Sequence, residues 1–204
     1  MKMDAIQKKI LEGFWKKTFD YAANALSLTL QKKIQIKGFK MFSLELNSIP
    51  KKMNPKDVKT VVVWNVIKNP RSVVAISSRS DNVLKFADML LHKEIGFYKG
   101  LSDENVGVIC EVENIISGYF IDTFSKILNK EVLTQKPQFS VNPSKSIEFF
   151  NLGNPYLEKI STLTLICSLV MPENNTDLDI FLIIKSDSMK KIIDNINEMA
   201  TVSF

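Results

Sequence analysis

Residues 102–129 read SDENVGVICEVENIISGYFIDTFSKILN, and the pattern predicts one long helix. Ser102 suits an N-cap, and Asp103 and Glu104 put negative charge in the first turn, where the backbone dipole favours it. At 100° per residue, Val108, Ile109, Val112, Ile115, Ile116, Tyr119, Thr123 and Ile127 fall on one apolar arc, the expected core face. Glu111 and Asn114, three apart, sit side by side on the opposite arc. Gly107, Gly118 and Ser125 share that arc and are all small. Two side chains capable of chemistry thus project from a low rim. Gly118 costs about 1 kcal/mol of helix propensity relative to alanine, so its smallness has a use if a partner must come close. On spacing alone, an acid and an amide are also what a merely solvated helix face carries.

The chain has 204 residues, 45% hydrophobic and 24% charged. That suits one domain, or two small and intimately packed halves, with an ordinary globular core. No apolar run is long enough to span a bilayer; Leu163 to Met171 is strand-sized. The first residues, MKMDAIQKKILEGFWKK, lack the apolar core and cleavage site of a signal peptide. A cytoplasmic protein with no membrane insertion is the expectation. Cys110, Cys167 and the single His92 form no metal-ligand spacing, so no metal held by the chain itself is expected. Cys110 falls near Asn114 on the outer arc, a placement read as coincidence. The net charge of +5 is spread over scattered lysine pairs such as Lys8-Lys9 and Lys190-Lys191. Without a basic-aromatic motif, no nucleic acid is expected, and an acidic protein partner fits the charge as well.

Outward from the long helix, Asp4 to Leu30 reads as another, with Ile6, Ile10, Phe14, Thr18, Tyr21 and Ala25 at helical spacing. An extended segment follows from Lys33 to Leu46. Pro50 and Pro55 mark a loop. Val58 to Ile67 and Val73 to Ser77 are strands about an Asn69-Pro70 turn. Ser80 is the expected N-cap of a helix over Asp81 to Leu91. Beyond the long helix, Val132 to Val141 is extended around Pro137, and Gly153-Asn154-Pro155 marks a loop. Leu163 to Val170 and Leu178 to Ile184 are strands, and Ser186 caps a last helix over Asp187 to Met199.

These pieces occur twice: helix, extended segment, strand pair, short helix. A shift of 98 residues lays Tyr21 on Tyr119, Ser27 on Ser125, Leu30 on Leu128 and Lys32 on Lys130. Arg79-Ser80-Asp81 likewise matches Lys185-Ser186-Asp187. The expectation is an α+β protein with pseudo-twofold symmetry, its two repeats sharing one antiparallel sheet with the two long helices on one side. The repeats cover approximately residues 1–95 and 100–204 of a single domain spanning 1–204.

With the repeat in place, the sequence resembles the CheC, CheX and FliY phosphatases of chemotaxis, and CheC most nearly. Their motif is Asp or Ser, three residues, Glu, two residues, Asn, then about twenty-two residues to a Pro. Glu111, Asn114 and Pro137 match it. GYFIDTFSKILNKEV, SVVAISSRSDNVLKFADMLL and ALSLTLQKKIQI are similar to the family's surrounding segments, so the likeness covers nearly the whole chain. Gly107 departs from the pattern, standing where the family has Asp or Ser. In the first repeat the motif positions hold Gly13, Lys16 and Phe39, so that half lacks the chemistry. FliY carries a further C-terminal flagellar-switch domain, for which this length leaves no room.

The resemblance implies hydrolysis of the aspartyl phosphate of a CheY-like receiver, with Asn114 positioning water and Glu111 pairing with a receiver lysine. Gly107, Gly118 and Pro137 would belong to the binding surface. The resemblance further implies that no cofactor is held by this chain, the receiver bringing its own Mg²⁺. A CheD-type deamidase and the flagellar switch are further partners it allows, and the alternative role is a non-catalytic adaptor for any of these.

Overall fold

The structure, a computed structural model, describes residues 5–53, 58–141 and 160–202. In chain order its elements are α1 (Ala5–Leu30), β1 (Gln35–Glu45), a 3₁₀ turn at Leu46–Ser48, α2 (Ile49–Met53), β2 (Thr60–Ile67), β3 (Ser72–Arg79) and α3 (Ser80–Leu90). There follow α4 (Asp103–Leu128), β4 (Gln138–Val141), β5 (Ser161–Met171), a 3₁₀ turn at Pro172–Asn174, β6 (Thr176–Lys185) and α5 (Ser186–Val202).

The strands form one six-stranded sheet in the order β1-β5-β6-β3-β2-β4, and every pairing is antiparallel. Exchange β1 with β4, β2 with β5 and β3 with β6, and the same order is read backwards. Each half contributes a hairpin, β2–β3 or β5–β6, and the hairpins join through β3 and β6. Each half then sends its first strand to the edge of the other half's hairpin: β1 pairs with β5, and β4 with β2. The expected pseudo-twofold α+β fold is therefore the fold observed, and neither half closes a sheet alone.

The symmetry extends to the helix ends. After α1, Gln31 turns left-handed (φ 51°), and after α4 Asn129 does the same (φ 48°). Lys32 N–H donates to Ser27 C=O, and Lys130 N–H to Ser125 C=O, both at 3.2 Å. Gln31 N–H reaches Leu28 C=O, and Asn129 N–H reaches Lys126 C=O. These paired bonds close orphan carbonyls at each C-terminus. All four residue pairs differ by the same 98 positions.

One face of the sheet carries α1, α3, α4 and α5 over the main core, in which Trp15, Phe19, Phe120 and Phe124 are fully buried. The other face carries a smaller core of Leu46, Ile49, Met53, Val62, Trp64, Val66, Ala75 and Phe181. Burial on both faces explains why TVVVWNVI of β2 shows no apolar alternation: all eight residues are buried. Within α1 and α4, Trp15 packs edge-on against Phe124 at 4.9 Å and Phe19 against Phe120 at 4.9 Å. Thr18 Oγ1 lies 2.9 Å from Thr123 Oγ1, and the Tyr21 and Tyr119 rings stack at 6.5 Å. As α1 numbers rise, α4 numbers fall, so the helices run antiparallel. Tyr21 and Tyr119 are repeat equivalents, so their stack marks the pseudo-twofold axis.

Several local expectations are corrected. Pro50 lies within α2, not in a loop; its fixed φ is tolerated in a first turn. Ser80 is the first helical residue of α3, with Arg79 at the N-cap position and no side-chain cap there. The Ser80 hydroxyl instead donates to Lys59 C=O. Residue 55 and the loop expected at residues 153–155 lie outside the described residues. The core arcs of both long helices are also rotated from those expected. In α1 the buried residues include Leu11, Trp15, Phe19, Ala22 and Leu26, while Ile6 is 72% exposed. In α4, Ile109, Val112, Ile116 and Ile127 are buried as expected. Val108, Ile115, Tyr119 and Thr123 are only half-buried, and the centre of the arc belongs to Glu113, Phe120 and Phe124. Each long helix meets both the sheet and its twin, so its apolar surface is wider than one arc.

Candidate functional site

Helix α4 begins at a capping box. Ser102 Oγ accepts from Asn105 N–H, and Asn105 Oδ1 accepts from Ser102 N–H at 2.8 Å. Asn105 Nδ2 also donates to Gly100 C=O at 2.9 Å. The helix start is therefore anchored about two turns before the candidate pair. Glu111 and Asn114 are both exposed on the outer face, and Asn114 Nδ2 donates to Glu111 Oε2 at 3.4 Å. That contact turns the amide so that Asn114 Oδ1 is left to accept.

Gly107 is exposed and Gly118 half-buried. Apart from the helix's own backbone and chain neighbours, a Cβ added to either would meet no heavy atom within 4 Å. The helix surface is thus low on both sides of the pair. Pro137 comes from a different layer: it is half-buried just before β4, which pairs with β2 and touches α4. The equivalent surface on α1 holds exposed Gly13 and Lys16. Phe39, at the proline position, packs edge-on to Phe19 at 5.6 Å.

The sequence reading overlooked Glu113, which is fully buried beneath the pair. Ser117 Oγ donates to Glu113 Oε1. Asn65, on the helix-facing side of β2, approaches closely enough to favour the ionised carboxylate, although Asn65 Nδ2 and Glu113 Oε2 do not close into a hydrogen bond. Desolvation dominates and pushes the carboxyl up from 4.5 to about 8. Asn65 Oδ1 in turn accepts from Thr134 Oγ1, in the segment leading to Pro137. The signal was present: Ile109, Glu113 and Ser117 are successive i, i+4 positions on the arc of Ile116 and Phe120.

Cys110, expected on the outer arc, is half-buried against the main core. Burial and the neighbouring Glu113 push its thiol up, away from a reactive thiolate. Among the described residues, no group of three or more His, Cys, Asp or Glu is placed to hold a metal ion. No described helix is long and apolar enough to cross a membrane.

No family model matches this sequence, and no curated protein matches it. Solved structures do match. FliY of Thermotoga maritima is 14% identical, superposes with a TM-score of 0.70, and the match covers 97% of this chain and 99% of that one. The FliM middle domain of H. pylori is 9% identical with a TM-score of 0.65, over 95% of this chain and 99% of that one. CheX in the CheX–CheY–BeF3–Mg²⁺ complex of Borrelia burgdorferi is 17% identical with a TM-score of 0.53, over 84% of this chain and 97% of that one. The fold is that of the CheC, CheX and FliY proteins.

Proposed function

We propose that this chain is a phosphatase for the aspartyl phosphate of a CheY-like receiver domain. The observation that carries the reading is the exposed Glu111–Asn114 pair, joined at 3.4 Å on a helix face that two glycines keep low. A helix so shaped can enter a receiver's cleft side-chain first. Asn114 Oδ1 accepts from a water and holds it in line with phosphorus. The water oxygen bonds to phosphorus as the bond to the aspartate oxygen breaks; the aspartate leaves as carboxylate, and the water's protons end on phosphate and solvent. Glu111 pairs with the receiver's lysine and fixes the register of docking. Mg²⁺ stays with the receiver, so this chain needs to supply positioning and little else. Support for the partner comes from the CheX–CheY complex among the structures of like fold.

A second reading is a non-catalytic adaptor or switch component. It is favoured by the FliM middle domain and the FliG–FliM complex of H. pylori, which have the same fold at TM-scores of 0.65 and 0.66. Loss of phosphate from a phosphorylated receiver, with and without this protein, separates the two. Stimulated loss that Asn114→Ala abolishes, with the circular dichroism spectrum unchanged, is the expected result. Binding without stimulated loss would favour the adaptor, and full activity in Asn114→Ala would remove Asn114 from the water-positioning role.

A further inference from the structure

The side chains beneath the candidate pair form a polar network that the other half of the molecule lacks. Ser117 donates to Glu113 Oε1, one turn away on α4, and Thr134 donates to Asn65 Oδ1 on β2. Asn65 stands within side-chain hydrogen-bonding range of Glu113 and favours its charge. Asn65 Nδ2 and Glu113 Oε2 have no other partner. With Asn65 Oδ1 taken by Thr134, what Asn65 has left to offer the carboxyl is an N–H. The donors of Thr134, Asn65 and Ser117 thus all run towards one carboxylate. Glu113, Ser117 and Asn65 are each at most 1% exposed.

The segment that carries Pro137 is laid along the same strand. Thr134 bridges Ile67, Gln135 N–H donates to Val66 C=O at 3.2 Å, and Gln138 pairs with Trp64. One step further along that register places Pro137 opposite Asn65. Asn65 is therefore the joint between the inner side of α4 and the Pro137 segment. Its contact with Glu113 fixes the rotation of α4 about its own axis. Asn114 follows Glu113 directly and projects about 100° from it, so that rotation sets where the amide points.

The internal repeat supplies a control within one chain. The 98-residue shift lays Glu113, Ser117, Thr134 and Pro137 on Trp15, Phe19, Ile36 and Phe39. Ile36 pairs with Leu169 and Phe39 with Cys167, as Thr134 pairs with Ile67 and Pro137 faces Asn65. Cys167 therefore stands where Asn65 does. Trp15, Phe19 and Cys167 are buried in the main core, and Ile36 packs against it. The half without the pair fills these four positions with core side chains. The half with the pair fills them with a carboxyl, two hydroxyls and an amide. Burying polar groups carries a desolvation cost that apolar ones escape, so the fold by itself does not call for this network.

We propose that Glu113 is a positioning residue for the reaction: its ionised carboxylate gathers Ser117 and Asn65 and so holds Asn114 in register with the Pro137 segment. The inference rests on the phosphatase reading above. Both contacts favour the ionised carboxyl while burial opposes it, so by linkage ionisation tightens both contacts. The elements packed on α4 are α1, α3, α5, β2, β3 and β4. Among their described residues no charged group enters that balance; on α4 itself the Cys110 thiol feels the Glu113 charge. Glu113 lies under the helix and away from the docking face, so it governs the saturated rate and not the affinity.

The test measures receiver binding and single-turnover phosphate loss at saturating protein. Thr134 is exposed, so Thr134→Val cuts the outer end of the network with little effect on folding. It should lower the saturated rate about tenfold at unchanged affinity, and Thr134→Ser should restore the rate. Glu113→Gln mimics the neutral carboxyl, and the ratio of wild-type to variant rate cancels the receiver's own pH dependence. The two rates should coincide at about pH 6 and differ about tenfold at about pH 9.5, on either side of the Glu113 value of about 8. Wild-type rates in both Thr134→Val and Glu113→Gln at every pH, with Asn114→Ala inactive, would overturn the proposal and leave the phosphatase reading standing. So would weaker binding or a lower melting temperature at an unchanged saturated rate, which marks a structural role only. If wild type does not exceed the receiver's own phosphate loss, the phosphatase reading fails and this proposal with it.

Discussion

Glu113 shows how one residue's chemistry depends on what covers it. Two neighbours in sequence, Glu113 and Asn114, project about 100° apart around α4, one buried and one exposed. Burial raises the folded-state pKa of Glu113 to about 8, from an ordinary 4.5. Between those values the folded state holds a proton that the unfolded state has released. The contribution to stability is therefore fully present below about pH 4.5 and is lost as pH rises towards about 8. Glu113→Gln keeps the volume and removes the titration. Its melting temperature should match wild type near pH 4.5 and exceed it by a few degrees near pH 8.5. A wild-type profile that stays flat across that range would show the carboxyl is not held protonated. Gly107 calls for the opposite change, the addition of a group. Its open surroundings admit a side chain, and serine improves on glycine in helix propensity. A hydroxyl one turn before Glu111 could restrain a side chain whose ordering costs about 1.5–2 kcal/mol when it is long and acidic. Gly107→Ser is expected to raise single-turnover phosphate loss several-fold. If wild type already turns over quickly and serine changes nothing, position 107 is permissive.

Among the elements, α4 carries the whole candidate pair, and both its ends are fixed by specific bonds. Ser102 and Asn105 close its first turn, and left-handed Asn129 closes its last. Ser102→Ala should cost about 1 kcal/mol of stability, seen as a lower urea midpoint with an unchanged slope. Because the pair lies more than a turn inside the helix, the saturated rate of the folded variant should stay near wild type. The bounds of this helix were legible because Ser, Asp and Glu at the start and Asn at the end are local signals. Its buried arc was only half legible. Ile109, Val112, Ile116 and Ile127 could be read from periodicity, whereas Phe120 and Phe124 could not. Their burial depends on Trp15 and Phe19, about a hundred residues earlier. Ser80 failed as an N-cap for a related reason: its hydroxyl found Lys59, across the β2–β3 hairpin.

At the scale of the molecule, two pseudo-equivalent faces differ in chemistry. Gly13 has no side chain, and Lys16 cannot offer an amide's paired donor and acceptor. Lys16→Ala should therefore leave receiver turnover unchanged; lost activity in a folded variant would mean that the working half is misassigned. By itself, the sequence determined the four longer helices, the strand pairs, the repeat and the pairing of Glu111 with Asn114. All of these are periodicities or spacings within a few turns of chain, or a pattern recurring at a fixed shift. The tertiary structure alone decided that β1 and β4 cross to the opposite halves and that Glu113 is sealed against Asn65. Each joins residues from distant parts of the chain. Which side chains a distant contact buries depends on how the layers pack, and no local period records it.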